Sequence, residues 1–356
     1  MRVIQMLDAL DFGDGVSNDV IHLHELLDEL GIANRIYSKW WNERVRSYTT
    51  SIDEYCYQPG DCIIYHFSGK SHILEQAVSY PCRRMVRYHN VTPPEFFLPD
   101  NPDAATSCRE GLAQIQRSIA RFDGALADSP FNASDLISYG ADASRVKVLP
   151  IVFDFDKYRS TKTVPELARK LSSAPYFIYI GRMAPNKCIE DVLAAFEYYY
   201  RFHDSSACLY LVGNTEHSPA YMERLMQQHA RMSAKDHAVF TGKVSEEELL
   251  AYYRGAAASL CMSEHEGFCM PLLEAASFDV PVIAYDSCAV PYTMGDSGIL
   301  LRKKDPSLTA HLMDEVAHDQ GLRWSIIEKQ RENLEKYSRE SIKMQLQTLL
   351  REWEEQ

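Results

Sequence analysis

Ser263-Glu264-His265-Glu266-Gly267-Phe268-Cys269-Met270-Pro271-Leu272-Leu273-Glu274-Ala275 carries the reading of the fold. It follows a short apolar strand, Ser259 to Cys261, and turns at Gly267. It then enters a helix with Pro271 in the first turn, where a missing N–H costs nothing. Free backbone donors at such a helix start suit an anion such as a diphosphate. Glu266 stands before the turn and Glu274 about one turn inside the helix, so both face one ligand from different depths. Carboxylates placed like this grip the hydroxyls of a sugar or a ribose.

Outward from this stretch, short β-rich runs alternate with helix-period segments, the pattern of parallel sheets with helices on both faces. The surrounding series has strands at Tyr176 to Ile180, Leu209 to Val212, Val239 to Phe240, Ser259 to Cys261 and Val282 to Tyr285. Its helices are predicted at Ile189 to Tyr200, Ala220 to Met232, Glu246 to Arg254 and Pro271 to Phe278. An earlier series opens with Val3 to Met6 and the loop Gly13-Asp14-Gly15. A helix predicted to be capped by Ser17 follows, bearing Leu23, Leu26, Leu27 and Leu30 before Gly31 ends it. Further strands are predicted at Ile63 to Phe67, Met85 to His89, Gly124 to Ala127 and Val146 to Leu149. The polar stretch Lys157 to Ser173 separates the two series.

The expected architecture is therefore α/β: two Rossmann-like domains, 1–168 and 169–335, with a helix at 336–356. That helix puts Ile342, Leu346, Leu349, Leu350 and Trp353 on one face, so it is expected to pack back on the first domain. A chain of 356 residues exceeds what one core organises. Its 46% hydrophobic and 24% charged residues are those of a soluble globular protein. The net charge of -13 repels phosphate backbones, so no nucleic-acid partner is expected. No apolar run approaches a membrane span, and acids interrupt the N-terminus, so a cytoplasmic protein is expected. Nine scattered cysteines without a C-x-x-C suggest reduced, buried thiols rather than disulfides or zinc.

A second informative stretch is Tyr179-Ile180-Gly181-Arg182-Met183-Ala184-Pro185-Asn186-Lys187. Arg182 and Lys187 bring two cations to the carboxyl end of a strand, where open α/β sheets bind ligands. A leaving nucleoside diphosphate develops negative charge, and without a metal that charge must be met by fixed cations and helix N-termini.

Together these stretches resemble the retaining nucleotide-sugar glycosyltransferases of family 4, whose GT-B fold has two Rossmann-like domains facing across a cleft. The resemblance rests on two glutamates with seven residues between them in an E-G-F-x-x-P-x-L-E-A context, matched by Glu266 and Glu274. It implies that Glu266 lies near the donor sugar and phosphate, that Glu274 holds the nucleotide ribose, and that Arg182 and Lys187 neutralise the diphosphate. Gly267, Phe268, Cys269 and Met270 complete the donor loop on this reading. In the first domain, Gly13 and Gly15 are implied phosphate contacts and His89 an active-site histidine that hydrogen-bonds a sugar hydroxyl. His66, ending another strand, is a weaker candidate. His89-Asn90-Val91-Thr92-Pro93-Pro94 is similar to a string in bacterial surface-polysaccharide (O-antigen type) transferases, which points towards GDP-mannose as donor. Cys188 and Cys269 stand where the family carries glycine, so neither position is expected to need a positive φ.

The reading is a retaining hexosyltransferase acting on a glycan or lipid-diphosphate glycan acceptor, with no cofactor beyond the nucleotide-sugar and no metal. Asp154-Phe155-Asp156 is read as a connector and not a metal motif. Arg83, Arg84 and Arg87, with Lys39, Arg44 and Arg46, are expected to form a basic rim able to meet the inner membrane face peripherally. The alternatives are a non-catalytic nucleotide-sugar or glycan-binding module and a nucleotide-sugar epimerase.

Overall fold

Two parallel sheets organise the chain in a computed structural model that describes residues 1–98, 100–216 and 218–355. The first comprises β1 (Arg2–Leu10), β2 (Asn34–Trp41), β3 (Thr49–Ser51), β4 (Asp61–Phe67), β5 (Arg83–Tyr88), β6 (Gly124–Ala127) and β7 (Val146–Val148). Their spatial order is β3-β2-β1-β4-β5-β6-β7. The second comprises β8 (Tyr176–Ile180), β9 (Cys208–Val212), β10 (Ala238–Gly242), β11 (Ala258–Cys261), β12 (Val282–Tyr285) and β13 (Ile299–Leu301). They run in the order β10-β9-β8-β11-β12-β13.

Helices cover both faces of each sheet, so central strands are buried along their whole length, as in Asp61–Phe67. Strand order reverses beside β1 in the first sheet and beside β8 in the second. Ligands gather at the carboxyl ends of strands at such switch points. In the second sheet the reversal makes β8 and β11 neighbours, and the two quoted motifs are the loops that leave them.

The chain divides into two compact units, and both are Rossmann-like. One contains Met1–Pro94, Ala104–Phe153 and the C-terminal segment from Tyr337; the other contains Glu95–Asp103 and Asp154–Lys336. The polar stretch expected to separate them instead forms the helices Phe155–Ser160 and Pro165–Leu171, which belong to the second unit. The helix Arg339–Glu355 lays Ile342, Leu346, Leu349, Leu350 and Trp353 into the first unit's core, against Leu23, Leu26, Leu27 and Ile64. Arg339 and Lys343 then pair with Glu29 at 2.7 and 2.9 Å. No helix among the described residues is long and apolar enough to cross a membrane.

Two local expectations are corrected. Asp14, not Ser17, caps the helix Gly15–Glu29: its carboxylate accepts from the Val16 and Ser17 amides at 3.0 and 3.1 Å. Ser17 instead accepts from the Asp11 amide at 2.8 Å.

The basic rim is corrected too. Arg87 is wholly buried on β5 and forms a two-pronged pair with Asp19 at 2.5 and 2.9 Å. It also donates to the carbonyls of Leu149 and Pro150, while Asp19 accepts from the Val152 amide at 2.8 Å. The pair thus pins the chain where it leaves β7. Arg83 and Arg84 begin β5, whereas Lys39 lies near the carboxyl end of β2, so these cations sit at opposite ends of the sheet.

A buried pair broken from one side leaves an uncompensated charge. Asp19→Ala is expected to cost about 3–5 kcal/mol in urea unfolding, and Asp19→Leu combined with Arg87→Met clearly less. Equal losses in the two variants would show that the pair is not what pins this segment.

Candidate active site

β8 ends at Ile180, and Gly181 turns the chain into the loop that carries Arg182, Asn186 and Lys187. Gly213, after β9, allows the neighbouring loop to pass closely: with φ +147°, a Cβ there would lie 1.9 Å from the Gly181 carbonyl oxygen. β11 ends at Cys261 and releases the loop that carries Glu264, His265 and Glu266.

The two loops are bonded to each other at several points. Lys187 Nζ donates to Glu266 Oε1 at 2.6 Å. Asn186 donates from its side chain to the His265 carbonyl at 3.0 Å, and its own carbonyl accepts from the Glu264 amide at 2.9 Å. Lys304, which follows β13, bridges Asp191 and Glu264 at 2.9 and 2.7 Å.

Burial acts against both charges of the central pair, and proximity prevails. The Glu266 carboxyl is disfavoured as an anion by burial, but Lys187 and a hydrogen bond from Ser263 hold it below the ordinary carboxylate range. Burial likewise works against the Lys187 ammonium, and Glu266 raises it above its ordinary value. Arg182 is exposed at the mouth of the same loop. Burial, chiefly, pushes His265 down to about 4, with Glu266 opposing and Lys187 adding.

Beyond Glu266, Gly267 leads to Phe268, whose carbonyl accepts from Thr293 Oγ1 at 2.6 Å. Cys269 then opens the helix Met270–Ser277 without a side-chain cap. Its φ of 72° and the φ of 50° at Cys188 overturn the expectation that neither position needs a left-handed backbone. The turns require glycine-like geometry, and cysteine adopts it at a cost of about 1–2 kcal/mol each. Cys269 also packs its thiol 3.7 Å from that of Cys261. All nine cysteines are free thiols. Inside the helix, Glu274 accepts from Tyr253 Oη at 2.6 Å. Burial raises its carboxyl above the usual range, and the Tyr253 bond opposes that shift.

The first unit has its own polar cluster at the carboxyl ends of its central strands. His89 Nδ1 is 2.9 Å from Asp128, His89 Nε2 is 2.9 Å from His66 Nδ1, and His66 Nε2 is 2.9 Å from Gln5 Oε1. Burial holds His66 neutral, with His89 and Arg87 reinforcing it. Both ring nitrogens of His89 are thus committed and its side chain is 1% exposed. This departs from the expectation that the ring hydrogen-bonds a sugar hydroxyl, which needs a free nitrogen. Gly13 and Gly15 are exposed, but Asp14 already occupies the next two helical amides.

Among the described residues two groups could gather metal ligands, Asp19-His66-His89 and Cys261-Glu266-Cys269, with donor atoms within 4.8 Å. In each, a protein cation already pairs with the carboxylate: Arg87 with Asp19 and Lys187 with Glu266. The side chain of Asp156 in the Asp154-Phe155-Asp156 triplet lies outside the described residues.

The residues missed from sequence are Asn186, Lys304 and Tyr253. Asn186 lay within a quoted motif, whereas nothing in the sequence marks the distant partners of Lys304 and Tyr253.

Residues 165–341 match the family model described as glycosyl transferases group 1, so the second unit carries a glycosyltransferase group 1 domain. The chain is similar to the O-antigen chain mannosyltransferase B of Escherichia coli, 27% identical over 199 residues, which are 54% of this chain and 51% of that protein. It is also 25% identical over 230 residues to a GDP-mannose-dependent alpha-(1-6)-phosphatidylinositol monomannoside mannosyltransferase of Mycobacterium tuberculosis, covering 58% and 57%. The chain thus spans about half the length of these curated relatives.

Among solved structures, Anabaena HepE in complex with UDP-glucose superposes with TM-score 0.77 at 15% identity, covering 99% of this chain and 100% of that one. WaaG, a glycosyltransferase involved in lipopolysaccharide biosynthesis, superposes with TM-score 0.73 at 13% identity, covering 97% and 98%. These likenesses establish the GT-B fold.

Two outcomes follow for stability. Cys188→Gly and Cys269→Gly should each remain within about 1 kcal/mol of the parent, because relief of the left-handed backbone offsets lost packing. Valine at either position should cost about 2 kcal/mol or more, and calorimetry finding valine and glycine equal would contradict the strain.

The second outcome concerns His265. Its folded pKa lies below its unfolded one, so its contribution is complete above about pH 6.5 and is lost as pH falls towards about 4. His265→Gln should shrink the stability difference between about pH 7 and pH 4 by up to about 3 kcal/mol, and an unchanged pH profile would remove that assignment.

Proposed function

We propose that the protein is a retaining glycosyltransferase that moves a hexose from a nucleotide-diphosphate sugar to a hydroxyl of a glycan or lipid-diphosphate glycan acceptor. The observation that carries this reading is the junction of the loops after β8 and β11. It sets Arg182, Lys187 and Glu266 at the switch point of one sheet, with Glu274 in the helix that follows. A nucleotide-diphosphate sugar needs both kinds of group, positive charge for the diphosphate and carboxylates for hydroxyls.

Arg182 and Lys187 offset the charge that builds on the diphosphate as the glycosidic bond breaks. The uncapped start of Met270–Ser277 adds its dipole. Glu266, held by Lys187, orients the sugar, and Glu274 takes the ribose. The acceptor hydroxyl attacks from the face the diphosphate leaves, and a diphosphate oxygen receives its proton. The acceptor is assigned to the first unit.

GDP-mannose as donor is supported by the mannosyltransferase relatives, one of them named for GDP-mannose. Metal independence is part of the proposal, because Arg182 and Lys187 supply positive charge for the diphosphate and Lys187 already pairs with Glu266. Peripheral membrane contact keeps support only from Lys39, Arg44 and Arg46, with Arg87 buried.

Thermal shift against GDP, UDP, ADP and dTDP tests the donor. A nucleotide at about 100 times its Kd should stabilise the fold by about 2.7 kcal/mol. GDP is expected to lead, with or without magnesium, and no shift from any of the four would bring forward the reading of a module that binds glycans alone. In transfer assays with EDTA present, Lys187→Ala and Glu274→Ala should each lose roughly 100-fold or more of the activity. Near-parental transfer by both would refute the site, and sugar conversion without an acceptor would mean an epimerase.

A further inference from the structure

Glu274 is half of what its surroundings define. Tyr253 Oη donates to its Oε2 at 2.6 Å, and among the described residues no other hydrogen bond reaches this carboxylate. Tyr253 ends the helix Glu246–Tyr253 and is wholly buried, its ring stacked on Phe278 at 5.5 Å and 7°. It packs in one cluster with Tyr176, Ala275 and Val280, so its hydroxyl cannot swing away. Burial raises the Tyr253 hydroxyl well above its ordinary value, with Glu274 adding, so it remains a donor at every working pH. A fixed donor on one oxygen leaves the other oxygen as the carboxylate's open acceptor and favours the ionised form.

From this geometry we infer that Tyr253 is the positioning residue of the ribose site: it fixes which oxygen of Glu274 meets the 2′ and 3′ hydroxyls, making the site selective for ribose. The inference rests on the proposed role of Glu274. It adds a residue that no motif marks and a discrimination that the fold alone does not supply. A site built to accept a hydroxyl proton rejects an analogue that lacks the hydroxyl, because its buried acceptor is then left unpaired.

The test is calorimetric titration of the full chain with GDP and with 2′,3′-dideoxy-GDP, from about pH 5 to about pH 8. The parent is expected to prefer GDP by roughly tenfold to a hundredfold. Tyr253→Phe keeps the ring and its stacking, and its melting temperature checks the fold. It should lower the preference by about fivefold or more near neutral pH.

It should also move the loss of GDP affinity to higher pH. A carboxylate binds hydroxyls when ionised, so affinity is present above its folded pKa and lost as pH falls through it. Removing the tyrosine donor raises that pKa. Glu274→Gln should abolish both the preference and its pH dependence, and adding Tyr253→Phe to Glu274→Gln should change nothing further.

If Tyr253→Phe keeps the parental preference and pH midpoint while Glu274→Gln loses them, the role of Tyr253 is overturned and the donor site stands. An effect of Tyr253→Phe that persists beside Glu274→Gln also overturns it, since the effect then does not pass through Glu274. If the parent binds neither GDP nor any of UDP, ADP and dTDP, or binds its preferred nucleotide and that nucleotide's 2′,3′-dideoxy form equally, the ribose role of Glu274 fails and this inference with it.

Discussion

The pairing of Lys187 with Glu266 at 2.6 Å, with side chains 18% and 8% exposed, governs the carboxyl end of the second unit's central strands. Either charge buried alone would cost several kcal/mol, so neither residue can hold its place without the other. They arrive on different loops, after β8 and after β11, and their mutual dependence ties those loops together. Asn186 uses its amide and its carbonyl in the same seam, and Lys304 anchors Glu264 from a third strand end. A site built this way is organised before any ligand arrives, which is what electrostatic stabilisation of a developing charge requires. The pair also divides the work between the cations: part of the Lys187 charge is spent on Glu266, whereas Arg182 is exposed.

The first unit solves a similar problem with a deeper network. Asp19, Arg87, Asp128, His89, His66 and Gln5 form a continuous buried polar group across β1, β4, β5 and the end of β6. Low local dielectric makes such a network costly unless its members satisfy each other. Here the Arg87 guanidinium serves Asp19, Asp128 and two backbone carbonyls at once.

The strands nearest the candidate site were legible in the sequence because β8, β11 and β12 are short apolar runs buried on both faces. β2 was not, since only Ile36 to Ser38 are buried and the flanking Arg35, Lys39 and Trp40 are exposed. Arg87 read as a surface charge because its partner Asp19 lies 68 positions away, and sequence spacing carries no trace of a contact at that range. Glu266, Glu274, Arg182 and Lys187 could be singled out because they sit in two contiguous motifs. Lys304 and Tyr253 could not, because tertiary packing alone brings them to those motifs. The φ angles at Cys188 and Cys269 escaped for a related reason: loop geometry is set by the tertiary bonds on either side, not by the residue in the turn.

Those angles gather mostly beside the two buried polar networks. Among the described residues the non-glycine positions with positive φ are Asn90, Cys188, Cys269, Asp279 and Cys288. Asn90 follows His89 and Cys188 follows Lys187. Cys269 closes the turn after Glu266, and the Cys288 thiol meets the Glu264 carbonyl at 3.3 Å. Each costs of order 1–3 kcal/mol, which persists only where the surroundings over-determine the backbone. The surroundings do so here through named bonds: Asn90 donates to Asn132 at 2.8 Å, and Lys187 and Asn186 hold the loop ahead of Cys188. Strain that is not needed for folding would be expected to scatter over the surface loops. Four of the five lie beside the charged junction or the buried histidine pair, where these bonds hold the backbone, whereas Asp279 lies just past the helix Met270–Ser277.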